Sequence, residues 1–232
     1  MISSSLQDMA KYYSTWWENP QDPRGVVFFK LTCLVAQRLG RATAGHTRAL
    51  DLGSGCGSII ESLQAAGYEA TGVEYGEEAA RKLSQRFPTA RIIQADLNTW
   101  TPDGTYDVVT MIELVQNFSA QELLALMKKL RPVTRRILIN APNRHSLQGW
   151  WVRWRKMQAP FVTLYGIKEF ESILKQAGFT ITYRRGVGML MPISLLDNFR
   201  IILIPRWLVR LGNALLDPLF PSLAALYYVE LE

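Results

Sequence analysis

The sequence predicts an α/β fold, a mostly parallel sheet with helices on both faces. Three observations carry that reading. Segments of strand and helix character alternate between residues 48 and 141. A glycine-rich turn joins the first strand to the helix that follows. The length, 232 residues with 48% hydrophobic content, suits one α/β domain with added elements and a sizeable core.

Residues 1–47 read as an N-terminal helical cap, and residues 48–232 as the main domain. Tyr12, Tyr13, Trp16 and Trp17 cluster ahead of a break at Asn19-Pro20-Gln21-Asp22-Pro23. A helix covers Val26 to Leu39 and ends at Gly40, a residue type that accepts the left-handed position past a helix end. Arg48–Leu52 is a short apolar strand. The next helix, from Ser58 to Ala66, keeps Ile59, Ile60 and Leu63 on one face and stops at Gly67. Thr71–Glu74 is the second strand, Glu77–Phe87 a helix stopped by Pro88, and Arg91–Ala95 the third strand. Tyr106–Ile112 is a β-branched fourth strand. Ser119 and Glu122 have capping-box spacing and open a helix to Leu130. Arg136–Asn140 is the fifth strand. Beyond it, Lys168–Ala177 is a helix with Gly178 at its end, Phe179–Tyr183 a strand, and Leu223–Glu230 a last strand. Segments at about 142–165 and 187–222 read as substrate-cover insertions.

The turn Gly53-Ser54-Gly55-Cys56-Gly57 follows Asp51 at the end of the first strand. Its glycines permit a tight turn and close approach of backbone to a ligand, and the next helix offers N–H groups at its N-terminus. The third glycine comes one residue too early for a dinucleotide fingerprint, and the Gly-Lys-Ser/Thr of a P-loop is absent. A glycine turn alone can serve geometry only; two downstream acids shift the balance. Glu74 ends the second strand nineteen residues beyond Gly55, close to the roughly 20-residue offset at which an acid meets a ribose in doubly wound folds. Its two oxygens can accept from both ribose hydroxyls. Asp96 ends the third strand on the same edge, where it can accept from an adenine amino group; the competing reading is a turn cap.

Leu50 to Gly57, Gly72-Val73-Glu74-Tyr75, Gln94-Ala95-Asp96-Leu97 and Tyr106-Asp107-Val108-Val109 resemble, in order, the motifs of class I S-adenosylmethionine-dependent methyltransferases. The resemblance implies their Rossmann-like fold, with a seven-stranded sheet whose last strand is antiparallel. It implies S-adenosyl-L-methionine as cofactor and S-adenosyl-L-homocysteine as product. Asp51, Gly53, Ser54, Gly55, Glu74, Tyr75, Asp96, Leu97, Ile112 and Glu113 would line the cofactor, with the methionine carboxylate near the loop. The second half resembles the ubiquinone-type O-methyltransferases in Ile139-Asn140-Ala141-Pro142-Asn143-Arg144, Lys168-Glu169-Phe170, Gln176-Ala177-Gly178-Phe179 and Gly186-Val187-Gly188 with Pro192. Those relatives often carry Glu-His at the end of strand four, where this chain has Glu113-Leu114.

A base for a hydroxyl acceptor must then come from elsewhere. His46 precedes strand one, at the wrong edge. His145 follows strand five on the cofactor edge and is the candidate catalytic base, an exposed loop histidine being the competing reading. Glu113 is placed to orient cofactor or acceptor. No cluster has metal-ligand spacing, so no metal is expected.

The net charge of +6 suits nucleic acid, an anionic membrane or an acidic substrate without choosing among them. No target-base tetrapeptide or recognition module points to nucleic acid. Two lone cysteines, Cys33 and Cys56, fit a reducing cytosol. The first residues lack a signal-peptide pattern, and the apolar runs are broken well short of the roughly 18 residues of a membrane span. Trp150-Trp151-Val152-Arg153-Trp154-Arg155-Lys156 fits either a helix packed on the domain or a peripheral membrane contact. The aliphatic stretch from Val187 to Leu226, with Tyr13, Trp16 and Trp17, fits a pocket for an aromatic or lipophilic small molecule. The expectation is a cytoplasmic small-molecule O-methyltransferase of open oligomeric state. N- or C-methylation in natural-product or lipid metabolism, nucleic-acid methylation and cofactor binding without catalysis are the alternatives.

Overall fold

The computed structural model describes residues 23–154, 163–189 and 206–232. Tyr13, Trp16 and Trp17 lie outside the described residues, as do parts of both cover segments. The elements in chain order are α1 (Pro23–Leu39), β1 (Arg48–Leu52), α2 (Ser58–Ala65), β2 (Glu69–Glu74), α3 (Glu77–Arg86), β3 (Arg91–Gln94), β4 (Tyr106–Met111), α4 (Ala120–Leu130), β5 (Thr134–Pro142), α5 (Leu147–Trp154), α6 (Ile167–Gln176), β6 (Ile181–Val187), α7 (Arg206–Leu219) and β7 (Leu226–Leu231).

The strands form one seven-stranded sheet ordered β3-β2-β1-β4-β5-β7-β6. β1 to β5 pair in parallel, and β7 pairs antiparallel with both β5 and β6. β6 therefore points the same way as β1 to β5, and their carboxyl ends share one edge. The order reverses between β1 and β4, so a crevice opens at that edge. This is the expected Rossmann-like arrangement with its antiparallel last strand.

The two faces are covered by different helices. α4 contributes Leu123, Leu126, Met127 and Leu130, and α6 contributes Phe170, Ile173 and Leu174, to one core. The other core takes Leu31, Leu34, Val35 and Leu39 of α1, Ile59, Ile60 and Leu63 of α2, and Leu83 of α3. These spacings put each helix's apolar stripe on the sheet. The Ser119–Glu122 capping box forms as expected and starts α4.

α1 spans the sheet from edge to edge. Lys30 Nζ meets Asp217 Oδ2 of α7 at 2.6 Å near the carboxyl edge. At the opposite edge Arg38 and Arg136 both donate to Glu230, buried on β7. Burial pushes the Glu230 carboxyl up, but the two guanidiniums outweigh it and hold it below the usual range.

Several boundaries differ from the sequence reading: α1 starts at Pro23 rather than Val26, β2 at Glu69 rather than Thr71, and β5 spans Thr134–Pro142 rather than Arg136–Asn140. β6 runs from Ile181 to Val187, not from Phe179 to Tyr183. Gly178, at φ 88°, ends α6, and the Phe179 N–H turns back to the Leu174 carbonyl. Phe179 is thereby a buried plug, and Arg184-Arg185-Gly186 extends a half-exposed edge strand that looks too polar in sequence. β7 starts at Leu226, because Pro221–Leu223 form a 3₁₀ turn. Within the expected cover at 187–222, Arg206–Leu219 is a helix, with Pro218 in its last turn.

Candidate functional site

The glycine turn is locked to the second strand. The Gly53 and Ser54 N–H groups both donate to the Val73 carbonyl, at 2.8 and 3.2 Å, and the Gly57 N–H donates to the Ser54 carbonyl at 2.8 Å. Gly57 adopts φ 85° as the N-cap of α2, with no side chain capping it. A Cβ there would lie 2.7 Å from Leu83 Cδ2 and against the Phe87 ring. Gly53, at φ 72°, lies under Leu114, whose Cδ1 would be 2.7 Å from an added Cβ. The left-handed backbone thus favours glycine at both positions, and at Gly57 the packing against Phe87 and Leu83 does so as well.

Glu74 closes the turn. Its Oε2 accepts from the Gly55 N–H at 2.8 Å, and its Oε1 from the Gly76 N–H at 2.9 Å. The carboxylate is held at the tip of β2 beside the loop, with its remaining lone pairs free to accept from a ligand. Tyr75 follows, half-buried.

Asp51 lies beneath the turn. It is 2% exposed, and its Oδ1 accepts from Thr110 Oγ1 at 2.7 Å. Oδ2 is buried with no hydrogen-bond partner. Burial, opposed by the Thr110 and Ser54 hydrogen bonds, raises its pKa to about 7. A buried acceptor left open beside a glycine turn is a place for a donor from a ligand.

Asp96 and Leu97 follow β3. Asp96 Oδ1 accepts from the Asn98 N–H at 2.9 Å, and its carbonyl accepts from Thr99 and Trp100. It acts as a turn cap here, the competing reading of the sequence. Leu97 packs into the core behind the crevice.

Ile112 is buried on the α1 side of the sheet. Glu113 has φ 54°, the only positive φ among described residues other than glycine. It forms a reciprocal pair with Asn140 of β5: the Glu113 N–H donates to Asn140 Oδ1 at 2.8 Å, and Asn140 Nδ2 donates to Glu113 Oε1 at 2.5 Å. Burial pushes the Glu113 carboxyl upward against the lowering effect of Asn140. A non-glycine residue held in this conformation beside a site is strain that the surroundings must enforce.

His145 sits exposed after β5, at the carboxyl edge. Its N–H donates to Asn143 Oδ1 at 3.0 Å, and its Nε2 would be 3.3 Å from a Cβ on Gly166. His46 is at the opposite edge, 2.8 Å from Asp107. Asn143 also ties in the turn that follows α7, donating to the carbonyls of Ser222 and Ala224 at 2.7 and 3.0 Å. Asp217 accepts from the Gly188 and Met189 N–H groups at 3.0 and 2.8 Å.

The structure thus gathers Asp51, Gly53, Ser54, Gly55 and Glu74 at one turn, with Asp96 and Glu113 on neighbouring strand ends. Sequence reasoning missed Thr110, Asn140, Asn143 and Asp217. The two asparagines, standing at the end of an otherwise apolar strand, were the available signal. Among the described residues no group of three or more His, Cys, Asp or Glu side chains gathers as for a metal.

The sequence matches a family model described as a methyltransferase domain over residues 27–184. No curated protein matches it. Among solved structures, a magnesium protoporphyrin IX methyltransferase from Synechocystis PCC 6803, with bound S-adenosylhomocysteine, superposes with a TM-score of 0.59 at 16% identity, over 89% of this chain and 81% of that one. An S-adenosylmethionine-dependent methyltransferase from Archaeoglobus fulgidus gives 0.60 at 18% identity, over 86% and 91%. Mitomycin 7-O-methyltransferase gives 0.58 at 16% identity; the match covers 94% of this chain but 60% of that one.

Proposed function

The chain belongs to the methyltransferase domain family and is an S-adenosylmethionine-dependent methyltransferase; on that premise we propose that it methylates a small aromatic or lipophilic acceptor, at oxygen. The observation that carries the cofactor assignment is the Glu74 carboxylate fastened to the Gly55 N–H beside the open Asp51 Oδ2. These groups fit the cofactor: Glu74 would take the ribose hydroxyls, the open Asp51 Oδ2 and the carbonyls along Gly53 to Gly55 the methionine ammonium, and Asp96 and Leu97 the adenine. Tyr75, Ile112 and Glu113 would complete the wall.

When bound, the cofactor supplies a methyl on a positively charged sulfur that leaves as a neutral thioether. The protein's share is to hold the acceptor oxygen in line and exclude water, a positioning effect of roughly 7–11 kcal/mol. His145 would take the hydroxyl proton. The Glu113–Asn140 pair would keep the end of β4 in shape against the reacting groups.

The acceptor class rests on the cover. α1 starts at the carboxyl edge, so Tyr13, Trp16 and Trp17, which precede it in sequence, are proposed to border the acceptor. α7 and the turn after it are fastened to the same edge through Asp217 and Asn143, and α5 starts a few residues beyond Asn143. Two of the structural likenesses are named for small organic acceptors, one of them an O-methyltransferase. A cytoplasmic setting and a peripheral membrane contact are proposed with this acceptor class.

The test is transfer of labelled methyl to a panel of phenols and quinols by wild type and His145→Ala. The variant should lose roughly 10²–10⁴-fold in kcat, with unchanged cofactor affinity. Full activity in the variant would remove His145 as the base.

A further inference from the structure

We propose that the outer face of α7 docks on an anionic lipid surface. α7 is inverted relative to an ordinary surface helix. Its polar residues Asn213 and Asp217 are buried, at 4% and 0% exposure, while Leu211, Leu215 and Leu219 are 51%, 60% and 68% exposed. The three leucines recur every fourth residue and form a stripe about 12 Å long. Phe220 and Leu223 extend it and are also exposed. A contiguous apolar face of this kind marks an interaction surface.

The inversion is built in. Asp217 is fixed by the Gly188 and Met189 N–H groups and by Lys30 Nζ. Rotating the helix to bury its leucines would pull the carboxylate away from all three donors and leave the Gly188 and Met189 N–H groups without their acceptor.

Charge selects the occupant. α5 and α7 carry Arg153, Arg206 and Arg210, and their one acid is the buried Asp217. Neither helix has an exposed acid to oppose an anionic surface. On α5, Trp150 and Trp154 are exposed and stacked, with ring centroids 5.9 Å apart, and tryptophan favours the membrane–water interface. No helix among the described residues is long and apolar enough to cross a membrane, so the contact is one of lying on the surface. Asn143, between β5 and α5, donates to the Ser222 and Ala224 carbonyls in the segment that follows α7, so α5 starts and α7 ends near the carboxyl edge of the sheet. The surface does not depend on which acceptor is methylated.

The experiment is co-sedimentation of the full chain with vesicles of phosphatidylcholine alone and of phosphatidylcholine with phosphatidylserine, at low and high salt. Binding to the phosphatidylserine vesicles at low salt is expected, weakened by salt. The double variant Leu215→Gln, Leu219→Gln should bind at least about tenfold more weakly, with unchanged thermal midpoint and S-adenosylmethionine affinity. Equal binding by the variant, or none by wild type at low salt, would overturn the proposal. So would a wild-type dimer that the same substitutions dissolve, since the face would then belong to a second copy.

Discussion

The two halves of the carboxyl edge are held in different ways. Around β1 and β2 the contacts are mostly backbone groups of a short turn: Gly53, Ser54, Gly55 and Gly57 all spend their N–H groups on the turn itself or on β2. Around β5, β6 and α7 the contacts are single side chains reaching far along the chain. Asn143 holds residues 222 and 224, and Asp217 holds residues 30, 188 and 189. The proposed cofactor turn thus rests on local geometry that tolerates few substitutions. The proposed cover rests on point fastenings that can be changed while the fold persists, a division that lets one fold serve many acceptors.

Breaking the first half should cost most. Gly57→Val forces a branched side chain into a left-handed backbone and against Leu83 and Phe87. A loss of about 2–5 kcal/mol is expected in urea unfolding.

Asp51→Asn sharpens the comparison by pH. The folded-state pKa of Asp51 is raised to about 7. The preference for its neutral form is therefore fully present below the unfolded pKa of about 4 and is lost as pH rises through about 7. Relative to the Asp51→Asn variant, the wild type should lose on the order of 2–4 kcal/mol across that window, measured by denaturation at stepped pH. A pH-independent difference would mean the carboxyl is not buried as described.

Glu74→Ala should weaken S-adenosylmethionine binding about 100-fold by calorimetry, through lost charged hydrogen bonds. Asn143→Ala should produce the smallest effect, about 1–2 kcal/mol of stability. Its acceptor KM should rise while its cofactor Kd stays put. If cofactor affinity fell as far as in Glu74→Ala, the two halves would not be independent.

Legibility in the sequence follows the same division. The Gly53–Gly57 turn and Glu74 could be read because a strand, a tight turn, a helix and the next strand fix the offset between them. The Ser119–Glu122 box could be read because both partners lie within one helical turn. The Glu113–Asn140 pair could not, since its members are on neighbouring strands and nothing local links them. Asp96 carried two readings of equal chemical sense, and the Asn98 N–H supports the cap in the structure.

By itself the sequence determined the strand order's raw material, the two apolar helix stripes and the glycine turn, because each depends on periodicity or turn chemistry over a few residues. Only the tertiary structure decided that Asp51 keeps one open buried oxygen, that Glu113 is strained against Asn140 and that α7 turns its leucines outward. Each of those depends on which distant donors arrive at a buried polar group, and unmet buried polar groups outweigh local preference.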